Sequence, residues 1–572
     1  MQLKLKDYFP KPLTLFLLLW GILNVVQAWF TPLNNDEAYY WMYSKYLDWG
    51  FFDHPPMIAL MIKAGYFIFH NELGVRLMII ISQIAALIII WSLTDEDQRN
   101  KEGNILLFIM LIAISPVFNI FGFIATPDAP LILFSAVFFL SYKRFLNSEN
   151  RQNIILLGLS MAALMYSKYH GGLLICLVVL SNPRLLKRPG FYLAAGLSVL
   201  LFLPHLFWQY SNGFPSFKYH LVERVSGFNA ANVPEYILNL LFIQNPFILP
   251  LCIWLIIKYR AKNNFEKALN YSLTGILIFF FIASFRYQVQ PQWTALICVP
   301  MLIILFNKLD FKSKYGVYIK RVTFFIFPLI LFARFSFMAD FLPVSYLKKE
   351  FHNTRKWAGN ISKLAGDRPV IFTNSYQNAS EYTFYTGKFA HSLDNLNYRK
   401  TQFDLWNFEE KVHGKEILYV PHFLNDYILE NFTKQIFPGG DSVYVKVIKD
   451  FQSLQKECVI LKDEQYTFKQ SGINTIHLKL FNPYPYPVNL KHKELPVVFQ
   501  IDFLKNGIRE TKKNLQFPAD ISLINVGDSI SVDCQFTLED LQPGNYRFAI
   551  CSETGFLYDT YNSKFKNVQV SK

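Results

Sequence analysis

Apolar and polar positions fall into long blocks over roughly the first 340 residues of this chain and into short ones over the rest. The first long block is an apolar run at 13–30, and others follow at 75–93, 104–124, 131–140 with its flanks, and 153–166. After a further run before Arg184, the series continues at 191–208, 236–257, 269–284, 294–306 and 322–337. A helix rises about 1.5 Å per residue, so about 20 apolar residues cross the hydrocarbon of a bilayer. The pattern predicts an α-helical polytopic membrane domain over residues 1–340 with about eleven crossings.

The connectors alternate in character. One set is basic: Arg99 and Lys101; Lys143, Arg144 and Arg151; Arg184, Lys187 and Arg188; Lys258, Arg260 and Lys262; Lys308, Lys312 and Lys314. The other set carries the unusual polar turns. Positively charged connectors stay on the cytoplasmic side. The N-terminus, with Lys4, Lys6 and Lys11 ahead of an uncleaved anchor, is therefore expected in the cytoplasm and the chain beyond 340 outside it. Composition agrees: 52% apolar and only 17% charged residues exclude an ordinary soluble protein. The net charge of +14 resides largely in these connectors, so it reports orientation and not a nucleic-acid partner. Cys176, Cys252 and Cys298 sit in apolar runs, while Cys458, Cys534 and Cys551 leave room for one bridge.

Past Asp340 the pattern is that of soluble domains. An apolar strand at 369–372, a polar turn, a helix and a second strand at 416–420 predict an α/β domain over 341–452. Over 453–572, alternating runs at 475–480, 497–501 and 546–550, separated by Gly, Pro and Asn turns, predict a β-sandwich. Nothing in these segments reads as catalytic. An acceptor-binding or docking module and a simple lid or spacer fit equally.

The chemistry concentrates in the non-basic turns. Asp36 and Glu37 follow the first span, and the same loop carries the aromatics Tyr39, Tyr40, Trp41 and Tyr43 and then Asp53-His54-Pro55-Pro56. Later turns add Asp128 after Thr126-Pro127, then Lys168, Tyr169 and His170, then Arg286, Gln290 and Trp293. Each has a plainer reading: Asp128 as a helix cap, Lys168 snorkelling to headgroups, His170 in a glycine turn, Tyr169 and Trp293 in an interfacial belt. Together, carboxylates and cations at one lipid interface suit sugar transfer from a polyprenyl-phosphate donor. A carboxylate takes the acceptor's proton, and cations or a metal ion hold the phosphate that leaves. Asp36 suits the base and Lys168 the clamp.

The order Asp36-Glu37, Asp53-His54-Pro55-Pro56, Thr126-Pro127-Asp128 and Ser167-Lys168-Tyr169-His170-Gly171 resembles the bacterial branch of the protein O-mannosyltransferase superfamily. These are membrane glycosyltransferases of the GT-C class, to which the aminoarabinose transferase acting on lipid A also belongs. The resemblance extends to the segments 375–381 and 402–406. It implies that the first loop forms amphipathic helices along a bacterial inner membrane, with Asp36 as the catalytic aspartate and Glu37 as its supporting neighbour. Asp128 becomes the second acidic position. Lys168, Tyr169 and His170 face the donor phosphate, and the loop bearing Arg286, Gln290 and Trp293, ahead of Pro300, closes over the donor. Asp53-His54 falls where the aminoarabinose transferase has a metal-binding glutamate followed by lysine and proline, a tripeptide absent here. A divalent metal ion with Asp53 and His54 as candidate ligands is left open. The partners implied are a polyprenyl-phosphate sugar, membrane lipids, and a glycan, lipid A or protein acceptor. A lipid-linked sugar or polysaccharide transporter is the alternative, since polar turns facing one cavity also suit a translocation path. A third reading makes the membrane part only an anchor for an exterior binding module.

Overall fold

The computed structural model describes residues 10–224, 227–344, 351–396, 398–437, 442–517 and 521–572, so Lys4 and Lys6 lie outside the described residues. The chain divides into two compact units, Met1–Arg355 and Lys356–Lys572.

The first unit is a bundle of apolar helices. Among the described residues seven are long and apolar enough to cross a membrane: Lys11–Phe30, Glu72–Leu93, Asp128–Asn147, Pro189–Ser211, Asn264–Ser284, Pro291–Lys308 and Lys314–Met338. The pair Asn232–Gln244 and Leu249–Lys258 is equally apolar but bent by 91°, the geometry of a broken span or a re-entrant loop. All eleven predicted segments are helical, but several depart from straight spans. The run 104–124 stops as a helix at Ala113 and restarts at Pro116–Ile120, because Pro116 has no N–H to continue the ladder. The sharp bend falls at Asn245, whose φ of 69° directly precedes Pro246. The segment after Lys168 gives only the twelve-residue helix His170–Ser181. Close helix approach is built in where it is needed: a Cβ on Gly158 would stand 2.7 Å from the Ala194 carbonyl of the neighbouring helix.

The basic connectors meet at one end of this unit. Lys101 pairs with Asp310 at 3.2 Å and Lys308 with Glu266 at 2.9 Å, and a cleft of about 430 Å³ is lined there by Asp95, Lys143, Arg184 and Arg188. The last span is tied to the first by a buried cation. Arg334 donates to the side-chain oxygens of Gln27 (3.2 Å), Asn119 (3.2 Å) and Asn24 (2.7 Å), and its guanidinium lies over the Trp20 and Phe123 rings.

The second unit contains both folds expected after residue 340, packed together. A five-stranded sheet runs in the order Ala390–Leu393, Val370–Thr373, Ile417–Val420, Ser442–Ile448, Thr433–Ile436, the first three parallel and the last two antiparallel. Leu495 and Leu557 of the following segment enter the core under that sheet, beside Ile371 and Tyr419. The sandwich pairs a larger sheet with a three-stranded one, Ser529–Thr537, Ile473–Phe481, Val459–Ile460. In Ile473–Phe481 the alternation is literal: Asn474, Ile476, Leu478 and Leu480 are buried and the residues between them exposed. The larger sheet runs Ile508–Asn514, Val497–Lys505, Gly544–Thr554, Lys566–Ser571, Gln465–Lys469, with Leu557–Tyr561 paired beside Gly544–Thr554. Its first hairpin turns on Asn506 and Gly507, both at positive φ (53° and 81°), as a two-residue turn matched to strand twist requires. Cys458, Cys534 and Cys551 are buried free thiols, so the bridge for which the spacing left room is not formed.

Candidate functional site

The loop after the first span is a helix, Asn35–Lys45, because Asn34 and Glu37 form a capping box across its first turn. Glu37 does more than cap. Its Oε1 accepts from Arg76 Nε (2.8 Å) and the Ala125 amide (2.7 Å), and its Oε2 from Arg76 Nη2 (2.5 Å) and the Asn34 amide (2.9 Å). Arg76 gives its remaining donors to the carbonyls of Ala28, Thr31 and Pro32. All five guanidinium N–H groups and both carboxylate oxygens are thus engaged, with both side chains at 0% exposure. Glu37, expected as the supporting neighbour of Asp36, thus has no lone pair left for a substrate, and it joins the first loop, the second span and the Ala125 turn.

Asp36, its neighbour, is half-buried and projects from the first turn of the same helix. A carboxylate is favourable there, beside unsatisfied backbone N–H groups. One helical turn on lies Tyr40, whose ring is 5.6 Å from that of His54. Asp53 is buried and accepts from the Tyr43 hydroxyl at 2.6 Å. The loop carrying Asp53 and His54 is held from outside its own sequence. His205, on the Pro189–Ser211 helix, donates from Nδ1 to the Trp49 carbonyl at 2.7 Å, and Trp208 donates to Asp48 at 2.7 Å. Between these rings the chain passes as Gly50, where an added Cβ would stand 2.4 Å from Trp208 and 2.9 Å from His205. With its proton on Nδ1, His205 Nε2 accepts from the Tyr169 hydroxyl at 3.0 Å. Tyr169 in turn accepts from Gln209 (3.0 Å), which also donates to Ser216 (2.7 Å). Burial pushes the Tyr169 hydroxyl up, and the nearby Asp53 charge adds to this.

The second acidic turn and the cationic turn meet directly. Lys168 Nζ stands 2.8 and 2.9 Å from the two carboxylate oxygens of Asp128, and both residues are buried. The pair leaves the ammonium one further N–H. Next to it, His170 faces Trp293 with ring centroids 5.6 Å apart, and the Arg224 guanidinium lies 4.5 Å over the Trp293 ring. Lys168, His220, His54 and Arg224 all act electrostatically on His170. His220 donates from Nε2 to the Asp53 carbonyl at 3.0 Å and lies edge-on to Tyr169 at 5.9 Å. Burial pulls its imidazole below the ordinary histidine range, while the Asp53 carbonyl and carboxylate oppose this. Trp293 thus joins the cluster; Arg286 is exposed, and Gln290 is half-buried at the start of the Pro291–Ile297 turn.

His205, His220, Arg224 and Arg76 are the residues that sequence reasoning missed. His220 and Arg224 sit in the long loop between residues 209 and 235, where a histidine and an arginine among aromatics were the available signal. His205 and Arg76 lie inside apolar runs, where an ionisable group is itself a marker. Among the described residues no group of three or more His, Cys, Asp or Glu side chains is placed to hold a metal ion, and the Oδ1 of Asp53 accepts from the Tyr43 hydroxyl.

Residues 53–208 match the family described as dolichyl-phosphate-mannose-protein mannosyltransferase. Among solved structures, ArnT from Cupriavidus metallidurans bound to undecaprenyl phosphate superposes with a TM-score of 0.54 at 13% identity, over 76% of this chain and 97% of that one. Arabinosyltransferase EmbB from Mycobacterium smegmatis gives a TM-score of 0.39 at 8% identity, over 98% of this chain and 66% of that one. No curated protein matches the sequence. At such identity the ArnT likeness is one of fold alone. The resemblance read from the turns at Asp36, Asp53, Asp128 and Lys168 is thus supported by a family match over residues 53–208 and by an ArnT-like fold, and the apolar helices make the chain a multi-pass membrane protein.

Proposed function

We propose that the membrane unit is an inverting glycosyltransferase that moves a sugar from a polyprenyl-phosphate donor to an acceptor on the extracytoplasmic face of a bacterial inner membrane. The observation that carries this reading is the gathering of Lys168, His170, His220, Arg224 and Trp293 into one cationic and aromatic cluster, which His54 links to Tyr40 on the helix that bears the half-buried Asp36. The meeting of the basic connectors at one end supports the orientation. The acceptor hydroxyl oxygen attacks the anomeric carbon, its proton passes to Asp36, and the bond from that carbon to the phosphate oxygen breaks. The electron pair leaves on polyprenyl phosphate. Its charge is met by Arg224, by the remaining N–H of Lys168 and by the N–H of His170. The Asp128–Lys168 pair sets where that N–H points. Arg286 and Gln290, at the foot of the Trp293 loop, supply further donors when the loop closes.

A positioned general base contributes about 10²- to 10⁴-fold to rate. Asp36→Asn is therefore expected to lose turnover by that factor while still binding donor. Wild type and variant, purified into nanodiscs, are incubated with lipid extract and matching membranes, and the lipids are followed by mass spectrometry. Free polyprenyl phosphate appearing with wild type but not with Asp36→Asn is the expected result. Equal donor consumption by both proteins would remove Asp36 from the chemistry. Binding of a lipid-linked sugar without consumption by either would move the transporter reading ahead.

A further inference from the structure

The larger sandwich sheet has two faces with different chemistry. Its strand register places Phe503 opposite Phe548, and Tyr546 beside Val568 beside Tyr466, on the face that forms the sandwich core. Side chains alternate along a strand, so the residues between these point outward. The outward residues form two rows across adjacent strands. Leu504, Arg547, Asn567 and Gln465 make one, and Asn545, Gln569 and Thr467 the other. Apart from Leu504, which is half-buried, all of them are exposed.

These rows floor an open cleft of about 940 Å³. One wall is the hairpin turn at Asn506 and Gly507, which stands at the end of the central strands. Another is the Phe565 ring, with the Arg547 guanidinium 4.9 Å over it and Tyr561 4.7 Å away. Among the described residues, the side chains of Gln465, Thr467, Asn545, Asn567 and Gln569 make no hydrogen bond to one another or to the rest of the chain.

We infer that this face is a binding site for a neutral, hydroxyl-rich glycan strand. A carboxamide offers an acceptor and two donors in one plane, which matches vicinal sugar hydroxyls, each both donor and acceptor. Neighbouring strands set successive amides about 4.8 Å apart, so the rows present a ladder of such groups along an extended chain of rings. The Phe565 edge supplies an apolar platform for the C–H face of a sugar. The charge content settles the class. The cleft is lined by two cations, Arg547 and Lys505, each laid over an aromatic ring, which is too few for a nucleic acid or an anionic polymer. Within the two outward rows Leu504 is the one aliphatic side chain, and its neighbours are amides, a hydroxyl and a guanidinium, which suit a hydroxyl-bearing partner better than a lipid. The inference does not rest on the transferase reading, because no residue of the membrane unit enters it.

The test uses the full chain in nanodiscs against a panel of soluble polysaccharides: mannan, xylan, β-glucan and galactomannan as neutral probes, heparin and polygalacturonate as charged controls. Binding is read by affinity electrophoresis and by thermophoresis at 50 and 300 mM salt. We expect at least one neutral probe to bind with little salt dependence. Asn567→Ala/Gln569→Ala should weaken it tenfold or more, and Arg547→Ala should weaken it as well. Lys479→Ala, exposed on the opposite sheet, should leave it unchanged. Equal melting temperatures of all variants show that folding is intact, as expected for exposed positions. Binding to no neutral probe overturns the inference. So does binding that the double variant retains, or binding confined to the charged probes and lost at 300 mM salt.

Discussion

Glu37 and Asp36 are adjacent in sequence and opposite in the consequence of losing their charge. In Glu37→Gln the shape is kept, but Arg76 remains at 0% exposure with no carboxylate against it, and one oxygen that held two of the four donors becomes an amide nitrogen. Removing one partner of a buried ion pair costs about 3–5 kcal/mol, roughly two to three and a half orders of magnitude in the folded-to-unfolded ratio. Here the loss also loosens the Ala125 turn, which leads into Asp128. Asp36→Asn, on a half-buried residue of the same helix, should stay within about 0.5 kcal/mol of wild type. The assay is a tryptophan-fluorescence melt of both variants in one detergent, run beside the donor-consumption measurement. Glu37→Gln should melt far below wild type, and whatever protein survives should recover activity on cooling. If Glu37→Gln melts with wild type and yet consumes no donor, Glu37 belongs to the chemistry and its assignment as a brace is wrong.

Gly50→Ala places a methyl group against Trp208 and His205, and overpacking of this kind costs about 1–3 kcal/mol. Because that contact orders the loop bearing Asp53 and His54, the expected reading is a rise in donor KM larger than the fall in kcat; a fall in kcat alone would contradict it. Glu409 gives a pH test in the second unit. It is buried and accepts from Ser453 (2.7 Å) and the Gln455 amide (3.1 Å), and burial raises its carboxyl from 4.5 to about 7. A folded form that holds its proton more tightly than the unfolded one is favoured below pH 4.5 and loses that advantage as pH rises through about 7. Relative to Glu409→Gln, wild type should therefore match at pH 4.5 and be less stable by up to about 3 kcal/mol at pH 8, read from denaturant unfolding of the full chain. A difference that does not grow between those pH values would refute it.

What could be read in the sequence was whatever depends on near neighbours in the chain. Apolar runs bounded by Lys and Arg declare spans, and Asp36, Asp128 and Lys168 stood out because each interrupts such a boundary with a polar turn. The alternation at 475–480 likewise announces a strand with one wet face. Partnership was not legible. Glu37 and Arg76 are 39 positions apart, and His205 and Trp49 are 156 apart, so no local pattern says which acid is consumed as a brace and which stays available. Lys168 read as a clamp because a lone lysine at an interface looks unengaged; only the fold brings Asp128 to it. The bend at Asn245 was hidden for a different reason: an apolar stretch has the same composition whether straight or broken, and Pro246 alone does not fix an angle.

Arg334 has a consequence for how such a chain is made. Its acceptors enter the membrane long before it does: Asn24 precedes it by 310 residues and Asn119 by 215. Throughout that interval of synthesis the early helices carry carboxamides without the cation that will gather them, and polar groups in hydrocarbon draw helices together wherever a partner is at hand. The first helices are therefore held in a provisional arrangement that only the last one makes permanent. A chain cut short before residue 334 would not be a smaller version of this bundle but one whose early carboxamides lack the cation that joins them.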